Sequence, residues 1–148
     1  MDFPKLNLPN IEFKTKLVDG NIQVFDIVRK KYFKLTAEEW VRQHFIHYLN
    51  LDRNYPLGLM GIEKVIKYNG LRTRADIVLY DNHGSAYMLV ECKAPNINIT
   101  KDTFDQVAKY NFNLKVKYLV VTNGLKHFCC EMNYIEKKIS FLNQIPLF

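Results

Sequence analysis

Two runs of β-forming residues on either side of a short polar turn constrain the fold of this chain more than any other feature. The first run is Arg74–Tyr80, the turn is Asp81–Gly84 and the second run is Tyr87–Lys93. A polar, glycine-containing turn between two such runs is the signal of a β-hairpin. Because side chains alternate between the faces of a strand, the hairpin also predicts which residues lie together.

Three charged residues stand at one end of this predicted hairpin. Glu91 and Lys93 share a face of the second strand, and Asp76 is the single acidic residue of the first run. Pairing in a hairpin brings opposing side chains to roughly 5 Å, so we expect Asp76 to lie beside Glu91. Carboxylates in otherwise buried runs are rarely left unpaired. The pair is therefore suited to share one hard cation.

These residue types predict a metal-dependent phosphodiesterase site. Mg²⁺ is usually held by one or two carboxylates, with water and substrate phosphate completing its shell. Asp76 and Glu91 would be the carboxylate ligands, and the backbone carbonyl of Cys92 would be a third. A metal would offset phosphate charge and acidify a bound water, while Lys93 would orient that water and stabilise developing negative charge. The alternative is a solvated strand end, because Glu-x-Lys commonly ends an apolar strand.

The order of these residues resembles the signature of the PD-(D/E)XK nuclease superfamily. Within it, the chain is most similar to the nuclease domain at the N-terminus of type I restriction enzyme R (motor) subunits. The resemblance spans roughly Thr36 to the C-terminus, although Ala75 stands where the family name has proline. It is carried by Arg74–Asp76, Val90–Pro95, Gln106–Asn111 and Thr122–Gly124.

That resemblance implies a role for each matching residue. Asp76 and Glu91 would bind the metal, Lys93 would be catalytic, and Gln106 and Tyr110 would form an accessory motif. It also implies Mg²⁺ as the cofactor, with Mn²⁺ as a substitute.

The accessory pair falls on a predicted helix over Asp102–Asn113, which Thr100 can cap. Gln106 and Tyr110 are four residues apart and share a helix face. Both could then point at the metal site or at the DNA backbone. The alternative is a half-buried Tyr110 and an exposed Gln106.

An earlier predicted helix, Glu38–Leu49, offers another acid. Thr36 and Glu39 have the spacing of a capping box, which gives Glu39 a structural role. Glu38 is expected on the inward face, where it resembles the first-helix glutamate that many of these nucleases add to the metal site. The alternative is an acid that favours the helix dipole.

The remaining pattern predicts an α/β fold, with an αβββαβ core in a mixed sheet. Residues 1–35 form an N-terminal β extension and residues 36–148 form the nuclease core of a single domain. The segment Ile11–Lys14 is ambiguous. The other predicted strands are Ile22–Val28, Lys31–Leu35, Glu63–Tyr68, Tyr118–Thr122 and a C-terminal hairpin of His127–Met132 and Lys138–Leu142.

Composition fits one soluble domain with an anionic partner. The chain has 148 residues, 48% of them hydrophobic, and a formal charge of +6. Such a charge favours phosphate binding that weakens with salt, and we expect Arg72, Arg74, Lys101 and Lys109 to contact DNA. Three cysteines without a CxxC spacing predict free thiols, and no apolar run approaches the roughly 20 residues that span a bilayer. A cytoplasmic protein without membrane contact is expected.

The predicted function is a metal-dependent DNA endonuclease, acting in restriction and defence or in DNA processing. Double-stranded DNA is the expected substrate, and translocase or methyltransferase subunits are the expected partners, because no Walker motif is present. The alternative is a catalytically silent nuclease-fold module that binds DNA or protein and needs a separate motor partner.

Overall fold

The computed structural model describes residues 2–148, apart from the side chains of Tyr68, Tyr110 and Asn113. Two helices and nine strands are described in that range. They are β1 (Thr15–Val18), β2 (Asn21–Asp26), β3 (Lys31–Lys34), α1 (Ala37–Leu51), β4 (Met60–Tyr68), β5 (Leu71–Tyr80), β6 (Ala86–Cys92), α2 (Lys101–Asn111), β7 (Tyr118–Thr122), β8 (His127–Asn133) and β9 (Lys138–Leu142).

The main sheet has six strands in chain order, from β4 to β9. Its neighbours pair antiparallel except for β6 and β7, which are parallel. The exception follows from the connection, because a parallel pair requires a crossover and α2 provides it. A smaller antiparallel sheet, β1-β2-β3, precedes α1.

The two helices cover opposite faces of the main sheet. Val41 and Phe45 of α1 pack with Ile77 and Val90, whereas Phe104 of α2 belongs to a second buried cluster. Each helix begins at a threonine whose hydroxyl accepts a backbone N–H three residues on, at 3.1 Å in both cases. A side-chain cap of this kind satisfies one of the amide groups that a helix start leaves unpaired.

The faces of the sheet change over at Glu63 and Asp76. The pairing of β4 with β5 keeps one register, but the ladder omits this pair, and Glu63 has a φ of +51°. Ile77 packs on the α1 side, and Ala75 packs on the α2 side although strict alternation would give both residues the same face. A non-glycine residue with left-handed φ costs of order 1–3 kcal/mol. The fold therefore holds a strained residue directly opposite Asp76.

The mixed α+β fold that the sequence predicts is confirmed, with changes at several boundaries. Strand β1 follows the segment that was ambiguous, β5 begins at Leu71 rather than Arg74, and α1 extends beyond both predicted ends. The second helix ends at Asn111 instead of Asn113, because a 3₁₀ turn over Phe112–Leu114 follows it. Tight turns and helix ends depend on packing that residue spacing does not encode.

The structure also bears on the state of the cysteines and on whether the described helices could span a membrane. Cys92, Cys129 and Cys130 are all free and buried, as the sequence predicts. Neither described helix is long and apolar enough to cross a membrane.

Candidate active site

Asp76 and Glu91 meet at the end of the hairpin formed by β5 and β6. The last ladder pair is Ile77 with Val90, so the same register puts Asp76 opposite Glu91 one position further on. The backbone N–H of Cys92 donates to Asp76 Oδ2 at 2.7 Å. The predicted hairpin is thus confirmed, with a shift of register between Leu79 and Tyr80 that was not predicted. The Cys92 amide fixes one carboxylate oxygen of Asp76.

Lys93 lies beside Glu91 on the same side of the chain. Its Nζ is 3.4 Å from Glu91 Oε1, and both side chains are about a third exposed. The backbone N–H of Lys93 donates to the carbonyl of Thr122 at 2.8 Å, which continues the parallel contact with β7. Two strands therefore hold the segment that carries Glu91 and Lys93.

Burial and the charge of Asp76 raise the pKa values of Glu91 and Glu38. Burial raises the pKa of Glu91 to about 7, and the charges of Asp76 and Glu38 add to the effect while Lys93 opposes it. Burial and the charge of Asp76 likewise raise the pKa of Glu38, against the opposing charges of Arg42 and Lys93. Like charges that disfavour ionisation in this way create a site that attracts a cation.

Arg42 is one residue of this site that the sequence patterns did not reveal. Its side chain is 5% exposed, and its Nη2 lies 2.8 Å from Asp76 Oδ1 and 3.0 Å from Glu38 Oε1. Burial disfavours its charged form, but the charges of Glu39 and Asp76 outweigh burial and raise the pKa above its ordinary value. The sequence does place Arg42 four residues after Glu38 and three after Glu39. The same spacing is typical of ion pairs on the surface of a helix, so it does not distinguish a buried site residue.

The two acids in the first turn of α1 differ in burial, and the prediction for Glu38 is wrong. Glu38 was predicted on the inward face, but its side chain is 47% exposed. Glu39 is the buried acid, and it binds Arg42 and Gln43 of its own helix and Arg29 of the N-terminal segment. The prediction assumed one buried face, whereas α1 packs between the main sheet and the N-terminal segment. Glu38 nonetheless reaches the site through its contact with Arg42.

The N-terminal segment is joined to the site by buried ion pairs. Arg29 donates to Asp26 Oδ2 at 2.8 Å and to Glu39 Oε1 at 2.7 Å, and its guanidinium stacks on the ring of Phe33 at 3.4 Å. Because Glu39 also binds Arg42, charged contacts run from β2 to Asp76. Asp26 is fully buried, and its pKa is lowered because hydrogen bonds from Arg29 and Gln43 outweigh the effect of burial.

Glu63 adds another carboxylate beside Arg42. Its Oε1 is 3.5 Å from Arg42 Nη2, and its Oε2 is 2.9 Å from Arg74 Nη2. The strained backbone at this position turns the side chain toward these arginines. Sequence reasoning identified Glu63 only as the start of a strand.

The residues present fit a cation that needs few protein ligands. Among the described residues, no group of three or more His, Cys, Asp or Glu side chains could hold a metal by itself. Mg²⁺ does not require one, since it keeps several waters and takes one or two carboxylates. Asp76 and Glu91, which the hairpin register places opposite each other, are two such carboxylates. The Cys92 thiol is buried and its pKa is raised well above the ordinary value by burial, so only a backbone group of Cys92 could be a ligand.

The predicted accessory residues lie on α2, on the other side of the sheet from α1. Gln106 is exposed, and among the described contacts none joins it to the carboxylates. The side chain of Tyr110 falls outside the described residues, so its accessory role stays a prediction, as does that of Gln106. Lys101 and Lys109 are exposed on the same helix, and Arg72 and Arg74 are exposed on β5.

Comparisons with known proteins point to one group. Residues 37–146 match the family model of the type I restriction enzyme R protein N terminus, HSDR_N. The fold is similar to a solved fragment assigned as an HsdR subunit of a type I restriction enzyme from Vibrio vulnificus YJ016, with a TM-score of 0.53 and 20% identity. That similarity covers 76% of this chain but only 24% of the other chain, and at this identity it concerns the fold. Comparison with curated proteins gave no significant match.

Proposed function

This chain belongs to the family of type I restriction enzyme R protein N-terminal segments, and from that premise we propose that it is a metal-dependent DNA endonuclease. The observation that carries the proposal is the meeting of Asp76, Glu91 and Lys93 at one end of a hairpin. Two carboxylates and an ammonium group beside the end of β6 have the chemistry that phosphodiester hydrolysis requires. The family membership supports a nuclease-like role in restriction.

Asp76 acts as a fixed ligand in this proposal. Its Oδ2 is held by the Cys92 amide and its Oδ1 by Arg42. Each oxygen keeps a second lone pair, because a carboxylate offers about four acceptor sites. A carboxylate that is already oriented loses little freedom when it binds a cation or a water.

Glu91 and Lys93 complete the site with opposite charges. Glu91 would hold the cation together with Asp76, and the backbone carbonyl of Cys92 would be the third ligand. Lys93 would donate to the attacking water and to the phosphate oxygens, where negative charge increases during hydrolysis. Its ion pair with Glu91 at 3.4 Å is loose enough for the ammonium group to turn toward a phosphate. When bound, Mg²⁺ or Mn²⁺ supplies Lewis-acid stabilisation of the phosphate charge.

The proposed substrate is double-stranded DNA, and the proposed context is restriction and defence or DNA processing. Because the chain spans 24% of the length of the solved relative, partners such as a translocase or a methyltransferase subunit belong to the proposal as well. Glu38 would assist from α1 through its contact with Arg42. Gln106 and Tyr110 would assist from α2.

A second candidate function is a catalytically silent module that keeps the fold and binds DNA or a partner protein. The ion pair between Arg42 and Asp76 favours it, because a guanidinium already balances the charge that a metal would balance. In a silent module, a substitution that breaks the ion pair between Arg42 and Asp76 would lower stability, and the parent protein would not cleave DNA.

The experiment that tests the proposal is cleavage of supercoiled, linear duplex and single-stranded DNA with Mg²⁺ or Mn²⁺. We expect Lys93→Ala to lower the cleavage rate by about a hundredfold or more, because the variant has no donor to the developing charge. Asp76→Ala should abolish cleavage while DNA binding is retained. Lys138→Ala is the matched control, since Lys138 is an exposed lysine in another hairpin. Metal-dependent cutting that persists in Lys93→Ala and Asp76→Ala would show that these residues are not the catalytic site.

A further inference from the structure

The hairpin of β4 and β5 extends past the end of β6. The pairing of β5 with β6 stops at Ile77, whereas β4 and β5 continue through five more pairs, from Lys64 with Ala75 to Tyr68 with Leu71. We call residues 64–75 the ribbon. At roughly 3.4 Å per residue, the five pairs reach about 17 Å along the strands. The ribbon begins directly beside Asp76.

One face of the ribbon is packed and holds it in place. Ala75 and Thr73 are buried, and Ile66 packs against the cluster on the α2 side of the sheet. Directly opposed residues of an antiparallel pair share a face. The packed face therefore fixes the opposite face toward solvent.

The exposed face of the ribbon is basic. It carries Lys67 opposite Arg72 and Val65 opposite Arg74, and Val65 and Arg74 are 46% and 66% exposed. The whole ribbon contains four cations and no acidic residue. An exposed strip of one charge sign attracts a polyanion at long range.

This basic face is continuous with the candidate active site. Arg74 is two residues from Asp76, and its guanidinium contacts Glu63, which lies 3.5 Å from Arg42. Arg42 in turn binds Asp76. Asp76 is four positions after Arg72 along the strand, or about 14 Å away. A strand of nucleic acid lying on the ribbon would lead to the carboxylates.

We propose that the exposed face of the ribbon, with Lys67, Arg72 and Arg74, is the surface that binds the phosphate backbone of duplex DNA and guides it to Asp76 and Glu91. This inference rests on the proposed nuclease function and adds the surface that positions its substrate. It concerns the ribbon alone, and contact of the α2 lysines with DNA stays a prediction. Lys101 and Lys109 lie on the helix that covers the other side of the sheet.

Duplex DNA fits this face better than single-stranded DNA. Single strands are held largely by stacking of bases on aromatic rings. Among the residues described on this face, none is aromatic, and the apolar member is Val65. A two-stranded ribbon is also narrow enough for the major groove of a duplex. Cations without stacking rings favour a partner whose phosphates are regularly spaced and whose bases are paired.

The test measures binding of a short labelled duplex in EDTA, by fluorescence anisotropy across a series of salt concentrations. The test variant is Lys67→Gln with Arg72→Gln, which removes two charges from one cross-strand pair. The control is Lys137→Gln with Lys138→Gln, which removes two exposed charges at the tip of the β8–β9 hairpin, at the opposite edge of the sheet. A charge-retaining variant, Lys67→Arg with Arg72→Lys, checks that the ribbon folds when these side chains are altered.

We expect the ribbon variant to bind duplex about tenfold more weakly and to lower the slope of log affinity against log salt by about two, because each removed cation leaves one phosphate without a partner. The control and the charge-retaining variant should keep the parent slope. In a cleavage assay with metal, the ribbon variant should raise KM and leave kcat unchanged. Equal binding by the ribbon variant and the control would overturn the inference.

Two further outcomes separate this inference from the proposed function. Duplex binding that depends on the ribbon, without cleavage by the parent, would refute the nuclease and leave the binding surface standing. DNA cleavage by the parent that the ribbon variant does not change would support the nuclease and refute the binding surface. Single-stranded DNA that binds as tightly as duplex, with the same dependence on the ribbon, would contradict the assignment of a duplex partner.

Discussion

At the scale of single residues, the site is organised around one buried guanidinium. Arg42 contacts Asp76, Glu38 and Glu39 directly and lies 3.5 Å from Glu63. A buried ion pair contributes little net stability, but removal of one partner leaves the other charge buried and unpaired. The importance of Arg42 therefore lies in the number of carboxylates whose charge it balances, and not in the strength of any single ion pair.

We predict that Arg42→Met lowers the free energy of unfolding by about 3–5 kcal/mol, the usual effect of breaking a buried pair from one side. Urea unfolding monitored by circular dichroism measures it. Lys138→Met is the control, and as an exposed substitution it should change stability by no more than about 0.5 kcal/mol. If Arg42→Met proved as stable as that control, the guanidinium would not be holding the carboxylates.

Glu91 should make the stability of the metal-free protein depend on pH. Its pKa is about 7 in the folded chain against an ordinary 4.5, so the folded state binds more protons than the unfolded state between these values. The free energy of unfolding then falls as pH rises from 4.5 to about 7. Above that pH, the cost of the ionised carboxylate is fully present.

Glu91→Gln removes this titration. In EDTA, we expect the variant to gain stability relative to the parent as pH rises from 4.5 to about 7, with a gain on the order of 2 kcal/mol at the upper end. Denaturant unfolding of both proteins at several pH values measures the difference. A difference that does not change with pH would contradict the raised pKa.

At the scale of elements, the turn between β7 and β8 joins the N-terminal segment to the sheet. Gly124 has a φ of +83°, and its carbonyl accepts the N–H of Asn7 at 2.8 Å. A Cβ at this position would lie 2.7 Å from a methyl carbon of Leu6, which is buried. The glycine is needed both for its backbone conformation and for the close approach of Leu6.

Gly124→Ala is therefore expected to destabilise the protein by about 1–3 kcal/mol, from backbone strain together with displacement of Leu6. Gly84→Ala is a matched control, because Gly84 has a φ of +79° but a Cβ there would meet nothing within 4 Å. Thermal unfolding of both variants separates the cost of the backbone conformation, which both share, from the cost of the contact with Leu6, which only Gly124→Ala has. Equal losses of stability in the two variants would mean that Leu6 moves aside without cost.

The N-terminal sheet is a second element that supports the site, although it lies outside the residues that match the family model. The match begins at residue 37, yet Asp26 and Arg29 lie before it and bind Gln43 and Glu39 of α1. Buried charges need such partners. The sheet of β1, β2 and β3 thus supplies part of the support for the site.

At the scale of the whole molecule, the site closes where several parts of the chain meet. Helix α1, the β4–β5 hairpin and the end of β6 each contribute a charged side chain beside Asp76. A cation that bound there would join all three in the folded state alone. Ligands that bind only the folded state raise its stability in proportion to the logarithm of their concentration.

Mn²⁺ should accordingly raise the melting temperature of the parent, corresponding to about 2.7 kcal/mol at a concentration 100 times the Kd. Asp76→Asn and Glu91→Gln should each remove most of this effect, because each removes a charged ligand. Differential scanning calorimetry measures it, with NaCl at matched ionic strength as the control. An equal rise in the parent and in both variants would indicate a cation site elsewhere.

The sequence by itself determined the local structures and the residues that local pairing brings together. Threonine caps and apolar spacing predicted both helices, and the turn at Asp81–Gly84 predicted the hairpin in which Asp76 lies beside Glu91. The shift of register between Leu79 and Tyr80 was not predicted. Helices and hairpins depend on neighbours a few residues apart, so composition and spacing encode them. The roles of Gln106 and Tyr110 remain predictions.

Only the tertiary structure decided which charges are buried against one another. Arg42 and Asp76 are 34 residues apart, and nothing in the spacing of either segment distinguishes their contact from a surface ion pair. The same holds for the buried Glu39, for the change of faces at Glu63 and for the exposed face of the ribbon. Burial arises when distant segments pack, and an ion pair, a strained backbone or a free face acquires its energy and its role from that packing.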